Sequence, residues 1–416
     1  MPEKRIAVVG AGVAGLATAA SLALAGLRCV VFERSASLPE MGGGIQISPN
    51  GAWVLHRLGL GPALRATAAR PAARELRRWR DGGLISRVEL GAAAEERYGV
   101  PYYTLRRADL SRLLLRVVEA RCGAGTVQFG RRCVGLDETP RGVRLRFAGG
   151  EGYEAALVVG ADGIHSLVRG SLATDTTRFT GHAVYRALIP ADRLPCLSGP
   201  PRVTVWLGPR QHCVCYPVGD SGAVNLVATV ETAEPPLGYT RGDAARLAAA
   251  YEGWDPNVRS LLGAADHFVH HGLFDRPPPR RWQRGRIVVV GDAAHPMLPF
   301  LAQGATQALE DAATLAACLG DRDGLARYER IRRPRVDHVL AAVRESAGRL
   351  HLPDGPRQLL RDRELAAGRL SDQDWLYGWD HPLGLRRESS DADPDDHAVL
   401  DADGGAAAAR PSGVAS

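Results

Sequence analysis

Glycines at positions 10, 12 and 15 follow a short apolar run, and an acid, Glu33, stands at the end of the next apolar run. That spacing suits a phosphate-bearing ligand. The first glycine makes a tight turn, the second lets backbone approach a pyrophosphate, and the third lets a helix pack closely on a sheet. Amides at the helix start would face the phosphate, and the carboxylate of Glu33 would accept hydrogen bonds from ribose hydroxyls. The pattern reads as a site for an adenine dinucleotide, with Ala14 and Arg34 as flanking candidates. An ordinary tight turn is the competing reading in a chain that holds 48 glycines.

Asp292 follows the apolar run 287–290, so its carboxylate should emerge at a strand end, where parallel sheets bind ligands. An acid suits hydroxyls and repels phosphate; a helix cap is the alternative role. Gly42, Gly43 and Gly44 form a triplet along which backbone can approach what side chains would block, and Gln46 follows it. Tyr216 lies in HCVCYPV with His212 four residues earlier, which in a strand puts both on one side. A tyrosine among apolar residues needs a partner for its hydroxyl, so Tyr216 is either a substrate contact or a core residue. Arg186 in VYRAL could pair with a carboxylate as a bidentate fork, or serve in a structural ion pair.

These residues need elements to hold them. Residues 5–9 are apolar enough for a buried parallel strand, 13–25 are rich in Ala and Leu as a helix requires, and Gly26 supplies a stop. From Leu105, LRRADLSRLLLRVVEARCG has helical spacing with Asp109 in its first turn. GVRLRFAGG and ALVVGADG return the chain to the sheet, and AVYRALI, RVTVWLG, HCVCYPV and AVNLVATV read as strands of an antiparallel sheet. The segment from Gly285 repeats the opening order of strand, turn and helix, and a helical stretch follows to about Arg349, broken near Pro334. The expected fold class is α/β. The expected division is 1–180 and 281–385 for the two parts of a nucleotide domain with C-terminal helices, 181–280 for an inserted, mainly antiparallel sheet, and 386–416 for a disordered tail.

At 416 residues the chain exceeds what one core usually supports. Its charge of +6 comes almost wholly from arginine, since Lys4 is the only lysine, and the arginines lie among acids without interleaved aromatics. That argues against a nucleic-acid platform. Seven cysteines, at 29, 122, 133, 196, 213, 215 and 318, form no CxxC pair, so neither a disulfide framework nor a metal site is expected. Cys213 and Cys215 should pack on one face of a strand. No apolar stretch is long enough for a membrane span, and a cytoplasmic location is the natural expectation.

Three segments, GAGVAG with Glu33, GADGIHSLVR from Gly160 and GDAAHPMLPFLAQGA from Gly291, together closely resemble the FAD-dependent aromatic monooxygenases of the p-hydroxybenzoate hydroxylase type. GIQISPN, FTGHAVYRAL and YGWDHPLG are similar more narrowly to the branch of salicylate, 3-hydroxybenzoate and 6-hydroxynicotinate hydroxylases. The similarity covers roughly residues 4–385. It implies a Rossmann-type FAD-binding domain with an inserted antiparallel-sheet substrate domain and C-terminal helices. By the same resemblance, Gly10, Gly12, Gly15 and Glu33 hold the ADP end of FAD, Arg107 reaches FAD across the domain unless it is a surface ion pair, and Asp162, Gly163 and Arg169 form a motif tied to FAD and NAD(P)H. Asp292 is implied to contact the ribityl and pyrophosphate region, Gln46 and Gly44 to lie near the isoalloxazine, and amides at Gly304 and Ala305 to stabilise charge on the flavin. Pro296, Pro299 and Phe300 would form a rigid apolar wall beside it, with His295 polarising a neighbouring group or acting from behind.

The resemblance further implies that NADH or NADPH reduces FAD, which reacts with O2 to a C4a-hydroperoxide and hydroxylates an aromatic, phenolic-acid substrate. Tyr216, His212, Arg186 and His295 are the candidates on the substrate side, and no residue stands out as a base. Oxygenation or epoxidation of a larger biosynthetic intermediate, or a flavin-binding protein that does not hydroxylate, are the alternatives. A homodimer through the C-terminal helices is a further expectation.

Overall fold

The structure, a computed structural model, describes residues 5–39, 43–219, 222–236 and 238–379. The expected tail at 386–416, the first glycine of the triplet and the end of the YGWDHPLG segment lie outside them.

Two sheets carry the molecule. The first has six strands in the order Gln283–Arg284, Ile287–Val289, Leu157–Gly160, Ile6–Val9, Cys29–Phe32 and Val127–Gln128. All its pairings are parallel except that of Gln283–Arg284 with Ile287–Val289. Its strands are buried on both faces: helices pack on it, and so does a three-stranded antiparallel sheet, Cys133–Thr139, Gly142–Phe147 and Gly152–Ala155, whose Phe147 ring lies 4.7 Å from that of Phe32. Val13–Leu24 lies between Arg107–Cys122 and Gly304–Cys318 and joins them in one continuous apolar core. The glycines set how close these parts come. A Cβ at Gly15 would stand 1.8 Å from the Gly10 carbonyl oxygen, and one at Gly10, where φ is +103°, would stand 2.6 Å from that of Ala161. Neither position has room for a side chain.

The second sheet has eight strands, in the order Thr240–Arg241, Val269–Asp275, Arg178–Pro190, Ala223–Glu231, Gln211–Val218, Arg202–Gly208, Ala73–Arg78 and Leu84–Glu89. Every pairing is antiparallel except that of Arg202–Gly208 with Ala73–Arg78. The last two strands come from early in the chain, well before the stretch from which the sheet was expected. One face, with Cys213, Cys215, Trp206 and Leu226, is sealed by the helices Ala244–Ala250 and Pro256–Gly263. The other face meets the strand Gly44–Ile47 and the loop that carries Leu298 and Phe300.

The helix expected to break near Pro334 does not. It runs unbroken from Gly324 to Leu350. Proline removes one backbone hydrogen bond, at a cost of roughly 3 kcal/mol. Here ion pairs hold both sides of it. Arg332 lies fully buried against Glu310 and Asp311, with its Nε 2.8 Å from Asp311 Oδ1, and Arg335 reaches Glu310 at 2.6 and 2.7 Å. Arg335 also donates to the carbonyls of Trp375 and Leu376 at 3.0 and 2.8 Å, which ties the last described helix to the core. Among the described residues, no helix is long and apolar enough to cross a membrane.

Candidate functional site

A succession of neighbouring residues leads from Glu33 to Tyr216. At one end Glu33 Oε2 accepts the Ala11 amide at 2.8 Å, and its Oε1 accepts the Ser35 amide at 2.9 Å, so the acid is fixed beside the glycine turn; Arg34 is exposed next to it. No side chain caps the helix that starts after Gly12, and a Cβ on Gly12 would meet nothing within 4 Å. The helix start is therefore open in front and positive in polarity. Those two features fit a pyrophosphate.

Ala14, the second residue of that helix, meets the next segment: a Cβ on Gly291 would stand 2.8 Å from Ala14 Cβ. Asp292 follows in a short turn, and it caps neither that turn nor the helix Gly304–Cys318. Its side chain is open to solvent, yet enclosure by protein raises its pKa against the pull of Arg107. A carboxylate at once accessible and enclosed lines a cleft. The start of Gly304–Cys318, with Gly304 and Ala305, adjoins it, since a Cβ on Gly304 would lie 3.9 Å from Asp292 Oδ1. No side chain caps that helix either.

Arg107 is exposed, makes no ion pair among the described residues, and lies in the field of both Asp292 and Arg186. Its amide donates to the Gly43 carbonyl at 3.1 Å. Gly43 and Gly44 lead into the strand Gly44–Ile47, which pairs with Tyr103–Arg106 and presses on the eight-stranded sheet. The Gly44 amide donates to Asn225 Oδ1 at 2.6 Å. A Cβ on Gly44 would lie 2.6 Å from Val218, 2.7 Å from Tyr216 and 2.8 Å from Asn225. Glycine is required here because two sheets meet with no space for a methyl group.

The inner face of the eight-stranded sheet has an apolar centre and polar corners. Val214 stands opposite Val227, and these pack with Val184, Leu273 and Leu298, the last from the loop that carries Pro296, Pro299 and Phe300. Around them are Tyr216, Asn225, Arg186, His271 and His212. Strand register places Tyr216 opposite Asn225, Arg186 opposite Val227, and His271 opposite Val184, so all face the same side.

Arg186 is half-buried and has no acidic partner among the described residues; its Nε donates to His271 Nε2 at 3.3 Å. His271 Nδ1 faces the Gly272 carbonyl at 3.2 Å, which fixes the proton on Nδ1 and leaves Nε2 as acceptor. Burial and Arg186 push His271 down to about 4. Burial pushes Tyr216 up to about 12 against the pull of Arg186 and of Gln46 beside its hydroxyl, so the phenol stays protonated at neutral pH. The Gln46 oxygen also accepts from Tyr102 at 2.8 Å.

His212 is buried and joined to His351, with Nδ1 and Nε2 2.8 Å apart and the rings stacked, and Phe300 packs on it at 5.6 Å. Burial, His351 and His182 push it down to about 3, so it is neutral.

Three of the sequence candidates have their side chains committed to other partners. His295 is buried against Trp282 and its Nε2 meets Asp311 Oδ2 at 2.6 Å, so its side chain is turned into the core. Asp162 adjoins Gly10, but its carboxylate binds its own turn, accepting from the Leu167 amide at 2.7 Å and from Ser166. Arg169 is wholly buried; it pairs with Asp175 and donates to the carbonyls of Ala293 and Ala294 at 3.3 and 3.4 Å, clamping the Asp292 loop. Asn225, His271 and Tyr102 were not among the candidates. For Asn225 the signal was present, as a lone amide within the buried run AVNLVATV.

A family model described as an FAD binding domain matches residues 3–343. The chain belongs to this family. It is similar to a 3-amino-4-hydroxybenzoate 2-monooxygenase of Streptomyces platensis, 48% identical over 391 residues that cover 92% of this chain and 98% of the relative. It is also similar to a 3-hydroxybenzoate 6-hydroxylase of Polaromonas naphthalenivorans (strain CJ2), 31% identical over 90% of this chain and 96% of the relative. Among solved structures, a salicylate hydroxylase substrate complex superposes with a TM-score of 0.77 at 26% identity, covering 92% of this chain and 97% of the other. The resemblance read from the motifs is thus borne out, as is the α/β fold with its FAD-binding domain. This protein is an FAD-dependent monooxygenase of the aromatic-hydroxylase kind.

Proposed function

We propose that the enzyme hydroxylates an aromatic acid that also carries a ring hydroxyl, a substrate of the amino- or hydroxybenzoate class, with NADH or NADPH as reductant and O2 as the oxygen source. The observation that carries this reading is Arg186: a half-buried guanidinium without an acidic partner among the described residues, beside an apolar floor. A buried charge is costly until paired, and a carboxylate is the partner whose geometry a guanidinium matches. The Streptomyces platensis relative is named for a benzoate bearing both an amino and a hydroxyl group.

FAD, when bound and reduced, supplies the activated oxygen. Its ADP end suits Gly10, Gly12, Gly15 and Glu33, and Asp292, Arg107, Gly304 and Gly44 lie along the path to the ring. The residues on the wall do the rest. Arg186 holds the carboxylate and so fixes which ring carbon faces the flavin. Val184, Val214, Val227, Leu273 and Leu298 exclude water from the ring. Tyr216, protonated at neutral pH, donates to the ring hydroxyl oxygen, and together with the Arg186 charge it favours the phenolate. His212, neutral and held by His351 and Thr229, orients the far end of the wall.

Oxidation of NADH and NADPH by the FAD-loaded enzyme against a panel of hydroxylated aromatic acids, with peroxide assayed and products identified by mass, tests this. A substrate that gains one oxygen with little peroxide is the expected result. Stimulated oxidation that yields only peroxide for every acid would overturn it.

A further inference from the structure

Asn225 is fully buried and sits on the inner wall, opposite Tyr216 and one strand from Arg186. Its Oδ1 is committed to the Gly44 amide at 2.6 Å, which fixes the orientation of the side-chain amide. Its Nδ2 consequently points elsewhere and has no partner among the described residues. An orphaned buried donor is destabilising in the free protein and persists where something meets it in use. A Cβ on Gly43 would stand 3.1 Å from Asn225 Oδ1 and 3.5 Å from Arg186 Nη1, so the amide and the guanidinium flank the same glycine. His271 occupies the Nε edge of Arg186, which leaves its terminal nitrogens to a ligand.

We propose that Asn225 is a second substrate-binding residue, whose Nδ2 donates to the carboxylate that Arg186 pairs with. The receptor is then asymmetric, a charged fork on one oxygen edge and a neutral donor on the other, fixed from behind by the strand that lines the flavin path. The same Gly44 amide couples substrate recognition to the position of that strand. The inference rests on the assignment of the carboxylate to Arg186.

The test compares an aromatic acid that the enzyme turns over with its carboxamide, which keeps the shape and loses the charge. Dissociation constants come from titrating the flavin absorbance of the FAD-loaded wild type, Asn225→Ala and Asn225→Asp. The wild type should prefer the acid. Asn225→Ala should weaken the acid about tenfold or more, the worth of a hydrogen bond to a charged group, and leave the carboxamide within about twofold. Asn225→Asp retains an acceptor for the Gly44 amide, so it should fold and hold FAD; it places an acceptor where the donor was and should reverse the preference toward the carboxamide. Equal weakening of both ligands in both variants would show a structural role only and overturn the inference. A wild-type preference that neither variant alters would also overturn it, leaving Arg186 standing. A wild type that binds both ligands alike would overturn the Arg186 assignment and the inference with it.

Discussion

Replacing Gly44 with alanine adds one methyl group at the point where the strand Gly44–Ile47, proposed to line the flavin path, meets the inner face of the eight-stranded sheet. Three wall atoms, on Val218, Tyr216 and Asn225, would lie 2.6, 2.7 and 2.8 Å from it. Carbon contacts are optimal near about 3.5–4.0 Å, so relief requires the strand and the sheet to part by about 1 Å. An overpacked methyl group of this kind costs about 1–3 kcal/mol, against a total stability on the order of 5–15 kcal/mol, so the variant folds. The effect should fall on catalysis, because a displacement of about 1 Å between reacting groups can cost about a hundredfold in rate. The expected outcome is a kcat/KM lower by about 10- to 100-fold, with FAD content retained and a modest fall in melting temperature. Steady-state kinetics, flavin absorbance and thermal unfolding read the three quantities. Gly12→Ala is the contrasting control: its methyl group meets no protein atom within 4 Å, so it should weaken FAD binding without overpacking the FAD-free protein, at the small cost of alanine at a helix N-cap. Wild-type kcat/KM in Gly44→Ala would refute the proposal that this strand lines the flavin path against the wall that binds the substrate.

Arg186→Gln should lower kcat/KM for the aromatic acid by about a hundredfold, the worth of a lost charged fork, and should leave turnover of the carboxamide nearly unchanged; parallel kinetics on the two substrates check this. Burial holds His212 neutral, down to about 3, so the unfolded chain binds a proton below pH 6.5 that the folded protein refuses. Stability from this group is present above pH 6.5 and falls by about 1.4 kcal/mol per unit as the pH drops below it. His212→Gln should flatten that slope between pH 6.5 and 5 in denaturant titrations. Asp311→Asn leaves Arg332 and His295 facing a neutral amide, and breaking a buried pair costs about 3–5 kcal/mol, so melting should fall sharply while the residual folded enzyme keeps its substrate preference.

The glycine turn with Glu33 beside it was legible because its geometry is local. Gly10, Gly15 and Glu33 act within one strand, turn, helix and strand, and each residue type follows from a steric or hydrogen-bonding need met within that unit. Asp292 was legible for the same reason, standing just beyond an apolar strand. The strands Ala73–Arg78 and Leu84–Glu89 were missed because they join a sheet whose other members begin a hundred residues later. Pro334 misled because propensity is local and the ion pairs of Arg332 and Arg335 that override it are not. His295 and Arg169 carry motif positions, yet their side chains are buried against Asp311 and Asp175, a placement that spacing alone does not give. On the wall, alternation placed His212 and Tyr216 on one face, whereas Asn225 and His271 gain meaning only from the neighbouring strands that place Gly44 and Arg186 beside them.

The most direct measurement is the crystal structure of the FAD-loaded enzyme with the aromatic acid it turns over best. The carboxylate should lie on the terminal nitrogens of Arg186 and the ring hydroxyl within hydrogen-bonding distance of Tyr216, with the ring against Val214 and Val227. A carboxylate bound anywhere else, or a ring reversed so that its hydroxyl meets Arg186, would contradict the account.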